Sequence, residues 1–113
     1  MLPRLIGWQK ASALMMLGDK ISATEAERLG MIYKVFADAT FATDSMNLAM
    51  TVARMPTKGL AFTKQALNQS STNNFEQQLQ AEEKLQYASA HTYDYGEGVK
   101  AFLEKREPVF KGE

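Results

Sequence analysis

The chain has 113 residues, enough for one domain or part of one, and can bury roughly two-thirds of the surface that its unfolded form exposes. Its 13 basic and 13 acidic side chains cancel, so no whole-chain field recruits nucleic acid or an anionic membrane. The absence of cysteine excludes disulfides, thiolate metal sites and a cysteine nucleophile, and it fits a reducing compartment.

The opening residues, MLPRLIGWQK, hold too short an apolar run for a signal peptide. Nowhere do about 18 apolar residues follow one another, as a membrane-spanning helix requires. We therefore expect a soluble, cytoplasmic protein with neither a nucleic-acid nor a membrane partner.

The first 30 residues predict two helices. Apolar spacing indicates a helix from Leu2 to Leu17, with Gly7 as a candidate break and Gly18 as a left-handed cap. Ser22 to Glu25 fits a capping box, in which the serine oxygen and the glutamate carboxylate each satisfy a free backbone N–H. This box predicts the start of a short second helix.

Residues 31–36, MIYKVF, form the one run with strand character, because β-branched and aromatic side chains dominate it. A lone strand leaves its backbone donors and acceptors unpaired. The sequence therefore predicts one short strand whose partners lie outside this chain.

The rest of the sequence predicts helices only, separated by a proline and polar connectors. Thr57 is a predicted helix cap, and Asp94 to Glu97 form a second predicted capping box. Val99, Phe102 and Leu103 are the predicted core stripe of the last helix. The predicted helices cover residues 43–55, 57–68, 74–90 and 94–106.

The helix predicted over 74–90 has two apolar flanks with a polar seam between them. Glu82, Gln86 and Ser89 make up the seam, and the pattern indicates a helix held between two surfaces. Glu82 and Gln86 are open to two interpretations, a hydrogen-bonded pair in a subunit interface or, more simply, an exposed surface pair.

Four segments carry a recognisable pattern in chain order: LPRLIG, LMMLGDKISATEAERLGMIYKV, PTKGLAFTKQALN and DYGEGVKAFLEKREPVFKG. Together they resemble the C-terminal part of the crotonase superfamily, the enoyl-CoA hydratase/isomerase fold, over essentially the whole chain. The last two resemble most the branch that isomerises 2-(1,2-epoxy-1,2-dihydrophenyl)acetyl-CoA in phenylacetate breakdown.

The resemblance implies a parent protein with the α/β spiral fold of the ClpP/crotonase type, of which this chain is a mostly α piece. Residues 1–36 would be the end of the spiral core, with its helix, short helix and strand. Residues 37–113 would be the C-terminal helical region, which in the family builds homotrimers that often pair into hexamers.

The resemblance also implies the chemistry. In the family, two backbone N–H groups bind the thioester oxygen and stabilise an enolate, while one or two carboxylates move protons. Those groups lie upstream of LPRLIG, so the resemblance assigns no catalytic residue and no metal here, and we expect this chain alone to be inactive. The implied ligand is a coenzyme A thioester, an acyl-CoA substrate of the parent and not a covalently bound cofactor.

Three residues are assigned to the coenzyme A site by resemblance. A family lysine that matches Lys105 lies near the adenine and phosphate end of coenzyme A, commonly bound from a neighbouring subunit. The structural alternative for Lys105 is a solvated cation at a helix C-terminus. A family aromatic aligns with Gln86, while Tyr87 stands one place on, and this departure weakens the case for stacking on adenine. The alternative function is an independent helical oligomerisation module without a ligand.

Overall fold

A computed structural model describes the whole chain, Met1–Glu113. Its residues form two compact units, Met1–Ser45 and Met46–Glu113. All regular secondary structure is helical, and no helix combines the length and apolar character needed to cross a membrane. The helices are α1 (Leu2–Ile6), α2 (Trp8–Leu17), α3 (Ala23–Arg28), α4 (Phe41–Ala53), α5 (Thr57–Ser70), α6 (Phe75–Ala90) and α7 (Tyr93–Glu104).

Two glycines shape the start of the chain as the sequence predicts. Gly7, with φ 80° and ψ 159°, separates α1 from α2 in a conformation that side chains disfavour. Gly18 ends α2 in the left-handed region, and its N–H donates to the carbonyl of Leu14. Ala11 is the buried residue of α2.

Helix α3 starts at its predicted cap, but only half of the predicted capping box forms. The Ser22 hydroxyl accepts the Glu25 N–H at 3.1 Å. The Glu25 carboxylate does not return to the cap, because both of its oxygens bind the Arg28 guanidinium at 2.6 Å. A charge-assisted pair of this kind is stronger than a bond to a neutral N–H.

The predicted strand at 31–36 is wrong, because these residues form bends and coil. No second strand is present to pair with them, and their backbone groups bind α3 instead. The Met31 N–H donates to the Ala26 carbonyl at 2.9 Å, and the Val35 N–H donates to the Glu27 carboxylate at 3.0 Å. The predicted, mostly helical character of the chain is confirmed.

In the second unit α5 and α6 pack side by side. Gln78 joins them, since its amide donates to the Ala66 carbonyl at 3.2 Å and to the Glu82 carboxylate at 2.8 Å. Ala81 and Leu85 are half-buried on one flank of α6. The other flank carries Phe75 and Leu79, which are exposed, so within this chain only one apolar flank is covered.

The starts of α5 and α6 differ from expectation. Thr57 is not a cap but the first residue of α5, and Pro56 precedes it without a side-chain cap. Helix α6 begins with a complete capping box that the periodicity did not indicate, formed by Asn74 and Gln77.

The cap of helix α7 lies two residues earlier than predicted, at Thr92 instead of Asp94. The Thr92 hydroxyl caps it by accepting the Tyr95 N–H at 3.2 Å, so the second predicted capping box is wrong and Asp94 lies inside the helix. The predicted core stripe is also wrong, since Phe102 is 83% and Leu103 74% exposed. The residues of α7 that are buried are Asp94 and Ala101, two turns apart on one side.

Candidate functional site

The turn after α7 is built on Lys105, the only non-glycine residue with a positive φ. The Arg106 N–H donates to the Ala101 carbonyl at 3.0 Å, and the Lys105 N–H donates to the Phe102 carbonyl at 3.2 Å. This is the Schellman pattern, whose left-handed residue is usually glycine. A side chain there costs about 1–2 kcal/mol.

Arg106 connects the turn to the body of α7. Its guanidinium binds both oxygens of Glu97, at 2.6 and 3.0 Å, and one oxygen of Glu104 at 2.7 Å. The hydrogen bonds from Arg106 lower the pKa of Glu97 to about 2, with a smaller contribution from the Val109 N–H, which donates to Glu97 at 2.9 Å. The same bonds raise the pKa of Arg106 above its ordinary value.

Asp94 holds the residues that follow. One carboxylate oxygen accepts the Lys111 N–H at 2.7 Å and the other accepts the Gly112 N–H at 2.9 Å. The Asp94 N–H in turn donates to the Glu113 carbonyl at 3.2 Å. We call Asp94, Glu97 and Arg106 the C-terminal clamp, because together they fasten residues 106–113 along α7.

Lys105 itself remains free. Its side chain is exposed and forms no salt bridge, while Arg106 occupies the neighbouring carboxylates Glu97 and Glu104. An unpaired ammonium group on a turn with a defined backbone can bind an anion. The structure thus leaves the ammonium group of Lys105 accessible to an anion.

Tyr87 and Gln86 lie on α6. Tyr87 is 70% exposed, and its ring centroid lies 4.3 Å from that of His91. His91 Nδ1 is 2.8 Å from the Tyr87 carbonyl, which can only accept, so Nδ1 is the protonated nitrogen. Gln86 lines a shallow groove between α5 and α6 with Phe62 and Ser89. No hydrogen bond or ring contact joins either residue to Lys105.

A second, more apolar groove of about 400 Å³ lies between the start of α5, the end of α6, α7 and the returning tail. Val99, Phe102, Leu103 and Phe110 line it, so it can accept an apolar group. The only carboxylate in its lining is Asp94, whose two oxygens are already used by the tail. The groove therefore offers no free carboxylate.

The sequence interpretation missed the clamp. It treated Asp94 and Glu97 as helix caps and gave Arg106 no role. Thr92 was the signal that could have corrected this, because a threonine two residues before Asp94 is itself a good cap and places both acids inside the helix. No group of three or more metal-ligating side chains comes together.

Comparison with known proteins gives consistent results. The profile of the family described as Enoyl-CoA hydratase/isomerase matches residues 1–113. The 1,2-epoxyphenylacetyl-CoA isomerase of Escherichia coli strain K12 is 43% identical over 112 residues, which are 99% of this chain and 43% of that protein. The 2,3-dehydroadipyl-CoA hydratase of the same organism is 36% identical over 109 residues, which are 96% of this chain and 43% of that protein.

Solved structures agree with these sequence matches. The crystal structure of an enoyl-CoA hydratase from Bacillus anthracis superposes with a TM-score of 0.92 at 33% identity, covering 99% of this chain and 43% of that one. The chain thus spans less than half the length of the relatives that it matches.

Proposed function

The chain belongs to the enoyl-CoA hydratase/isomerase family, and we propose that it is the C-terminal part of an enzyme that isomerises or hydrates an acyl-CoA thioester. The observation that carries this proposal is the match along the whole chain to proteins more than twice as long. Within the family we favour an isomerase of phenylacetate breakdown acting in the cytoplasm. The 43% identity to an epoxyphenylacetyl-CoA isomerase, against 36% to the dehydroadipyl-CoA hydratase, supports that branch.

In this proposal the chain contributes part of the coenzyme A site. Lys105 would bind a phosphate of the ligand as a flexible point charge, and its lack of a competing carboxylate supports the role. Tyr87, with Gln86 beside it, would lie next to the adenine, since an exposed aromatic ring offers a stacking surface. The substrate is the thioester itself, and no covalently bound cofactor is involved.

The chain alone should not catalyse the reaction. The family's chemistry uses paired backbone donors and proton-transferring carboxylates, and the carboxylates with clear partners here hold structure instead. Asp94 and Glu97 bind the tail, and Glu25 binds Arg28. Turnover of an epoxyphenylacetyl-CoA or an enoyl-CoA by the purified chain would overturn this part of the proposal.

Self-association is the second contribution that we propose. The only apolar residues that are buried are three alanines, Ala11, Ala26 and Ala101. Large apolar side chains are exposed on several helices, which is typical of surfaces that another chain or segment covers. They include Trp8, Met16, Phe75, Phe102 and Leu103. Sedimentation velocity should show dimers or trimers of the chain, and a monomer at high concentration would contradict the proposal.

Calorimetric titration with coenzyme A separates the two functions. We expect binding by the unsubstituted chain and binding about tenfold weaker in Lys105→Ala, because the substitution removes the phosphate contact. Association of the chain without any coenzyme A binding would favour the alternative, a helical oligomerisation module without a ligand. The exposed apolar surface is the observation that keeps this alternative open.

A further inference from the structure

The left-handed turn at the end of α7 holds a lysine where the fold alone would favour glycine. Lys105 has φ 53° and ψ 43°, whereas the cap of α2 uses glycine in the same region, Gly18 at φ 70° and ψ 21°. A left-handed non-glycine residue persists only where its surroundings determine the conformation. Such residues concentrate at functional sites, and the neighbours of Lys105 must therefore hold its left-handed conformation.

The two Schellman hydrogen bonds close the turn, and the clamp holds the residues on either side of it. The helix ahead of Lys105 is fixed by its own hydrogen bonds, and the residue behind it, Arg106, is bound to both oxygens of Glu97. Glu97 also accepts the Val109 N–H at 2.9 Å, which turns the chain back along α7. Lys105 therefore stands at the apex of a bend whose two arms are joined by one carboxylate.

The clamp also determines which carboxylates near Lys105 already have a partner. Arg106 uses its guanidinium on Glu97 and Glu104 together. One guanidinium thereby binds both acids, and Lys105 keeps an ammonium group that forms no salt bridge. A cation without a local partner does not have to break an internal ion pair before it binds an external anion.

We propose that Glu97 and Arg106 are positioning residues for Lys105, and that before the ligand arrives they fix the backbone turn from which its side chain reaches a phosphate of coenzyme A. This inference rests on the proposed function, because it takes Lys105 to be the phosphate contact. Glu97 and Arg106 do not touch the ligand. They act by fixing the backbone from which the lysine extends, which reduces the ordering that binding must supply.

The experiment is a double-mutant cycle on the full 113-residue chain, with coenzyme A as the probe and affinity measured by calorimetry. We expect Lys105→Ala to weaken binding by about tenfold, since it removes one charge-assisted contact. Glu97→Gln should weaken it by about threefold, because the amide keeps the shape but loses the ion pair. The double variant should bind no more weakly than Lys105→Ala alone, because Glu97 acts only through the lysine.

Glu25→Gln is the matched control. It removes an equally short bidentate contact to an arginine, Arg28, from a part of the chain that the proposal gives no role. Binding should be unchanged in this variant. A loss equal to that of Glu97→Gln would show a general effect of removing a Glu–Arg pair and would overturn the proposal.

A second measurement does not depend on the ligand. Backbone ¹⁵N relaxation of the unliganded chain should show the order parameters of Lys105 and Arg106 falling from about 0.85 toward 0.6 in Glu97→Gln. Unchanged order parameters would overturn the positioning role whatever the affinities are. Independent, multiplying losses in the cycle would overturn it as well.

The outcomes also separate this inference from the proposed function. If Lys105→Ala weakens binding while Glu97→Gln does not, the coenzyme A contact stands and the positioning role falls. If Lys105→Ala has no effect, or the unsubstituted chain does not bind, the proposed phosphate contact falls and the inference with it, even where the relaxation data show a fixed turn.

Discussion

Two glutamate–arginine pairs in this chain have nearly the same geometry and different consequences. Glu25 and Arg28 lie one turn apart in α3, with side chains 38% and 64% exposed. Glu97 and Arg106 join a helix to the segment that follows it, and Glu97 is only 10% exposed. The shortest contact is 2.6 Å in both.

The difference lies in what each pair restrains. The α3 pair joins residues that the helix already holds together, and exposed pairs of this kind contribute little to stability. The α7 pair joins residues nine positions apart and adds a side-chain connection to the two backbone hydrogen bonds that close the turn. The same pair of side chains can therefore add little to one helix and restrain the path of the backbone after another.

The largest expected difference in unfolding free energy is between variants of Asp94, in α7, and Glu27, in α3. Both carboxylates bind backbone N–H groups. Asp94→Ala removes two such bonds in a buried place and should lower the unfolding free energy by about 3 kcal/mol. Glu27→Ala removes one bond, to the Val35 N–H, at an exposed place and should cost less than about 1 kcal/mol. Urea denaturation of both variants measures the difference, and equal losses would contradict the importance given to the clamp.

The second largest expected difference is in how the melting temperature of the two glutamate variants depends on acid pH. The folded pKa of Glu97, about 2, lies below its ordinary value of 4.5, so the unfolded chain binds more protons between these values. The stabilisation is complete above about pH 4.5 and is lost as the pH falls toward 2. Glu97→Gln should flatten the fall in melting temperature over this window. Glu25→Gln should flatten it less, although the Arg28 hydrogen bonds lower the pKa of Glu25 too. The reverse order would contradict the comparison.

Opposite substitutions at the two left-handed caps should change the unfolding free energy in opposite directions. Lys105→Gly relieves a strained backbone and should raise the unfolding free energy by about 1 kcal/mol. Gly18→Ala places a side chain at φ 70° and should lower it by about 1 kcal/mol. Thermal unfolding measures both. Destabilisation by Lys105→Gly would show that the lysine side chain itself supports the fold.

The smallest expected difference concerns the two helix caps. Ser22 and Thr92 each accept one backbone N–H, at 3.1 and 3.2 Å. Replacement by alanine should cost about 1 kcal/mol in each case, with less than about 0.5 kcal/mol between them. A much larger loss for Thr92→Ala would mean that the clamp depends on where α7 begins.

What could be predicted from the sequence follows the range of the interactions. The helices and the caps at Gly18 and Ser22 depend on residues within about one turn, so periodicity and cap chemistry indicate them. The strand at 31–36 was wrong because strand propensity has no effect without a partner. Phe102 was assigned to a core because an apolar stripe shows that a surface is to be covered, without showing that this chain covers it.

The clamp was beyond such reasoning. Its bonds join residues separated by 9 to 18 positions, from Arg106 to Glu97 and from Gly112 to Asp94. The local sequence, through Thr92, can show that both acids lie inside the helix, but it does not show what they bind. Only the three-dimensional path of residues 106–113 shows that.

The contact of Asp94 with two consecutive N–H groups also has an evolutionary consequence. Because one oxygen takes Lys111 and the other Gly112, while Glu97 takes Val109, the number of residues between these acceptors and their donors is fixed. Removing or adding one residue in this span would bring the wrong N–H to each acceptor, and Pro108 has none to offer. The bonds come from the main chain, so most side-chain changes leave them intact. This ending should therefore tolerate substitution far better than insertion or deletion.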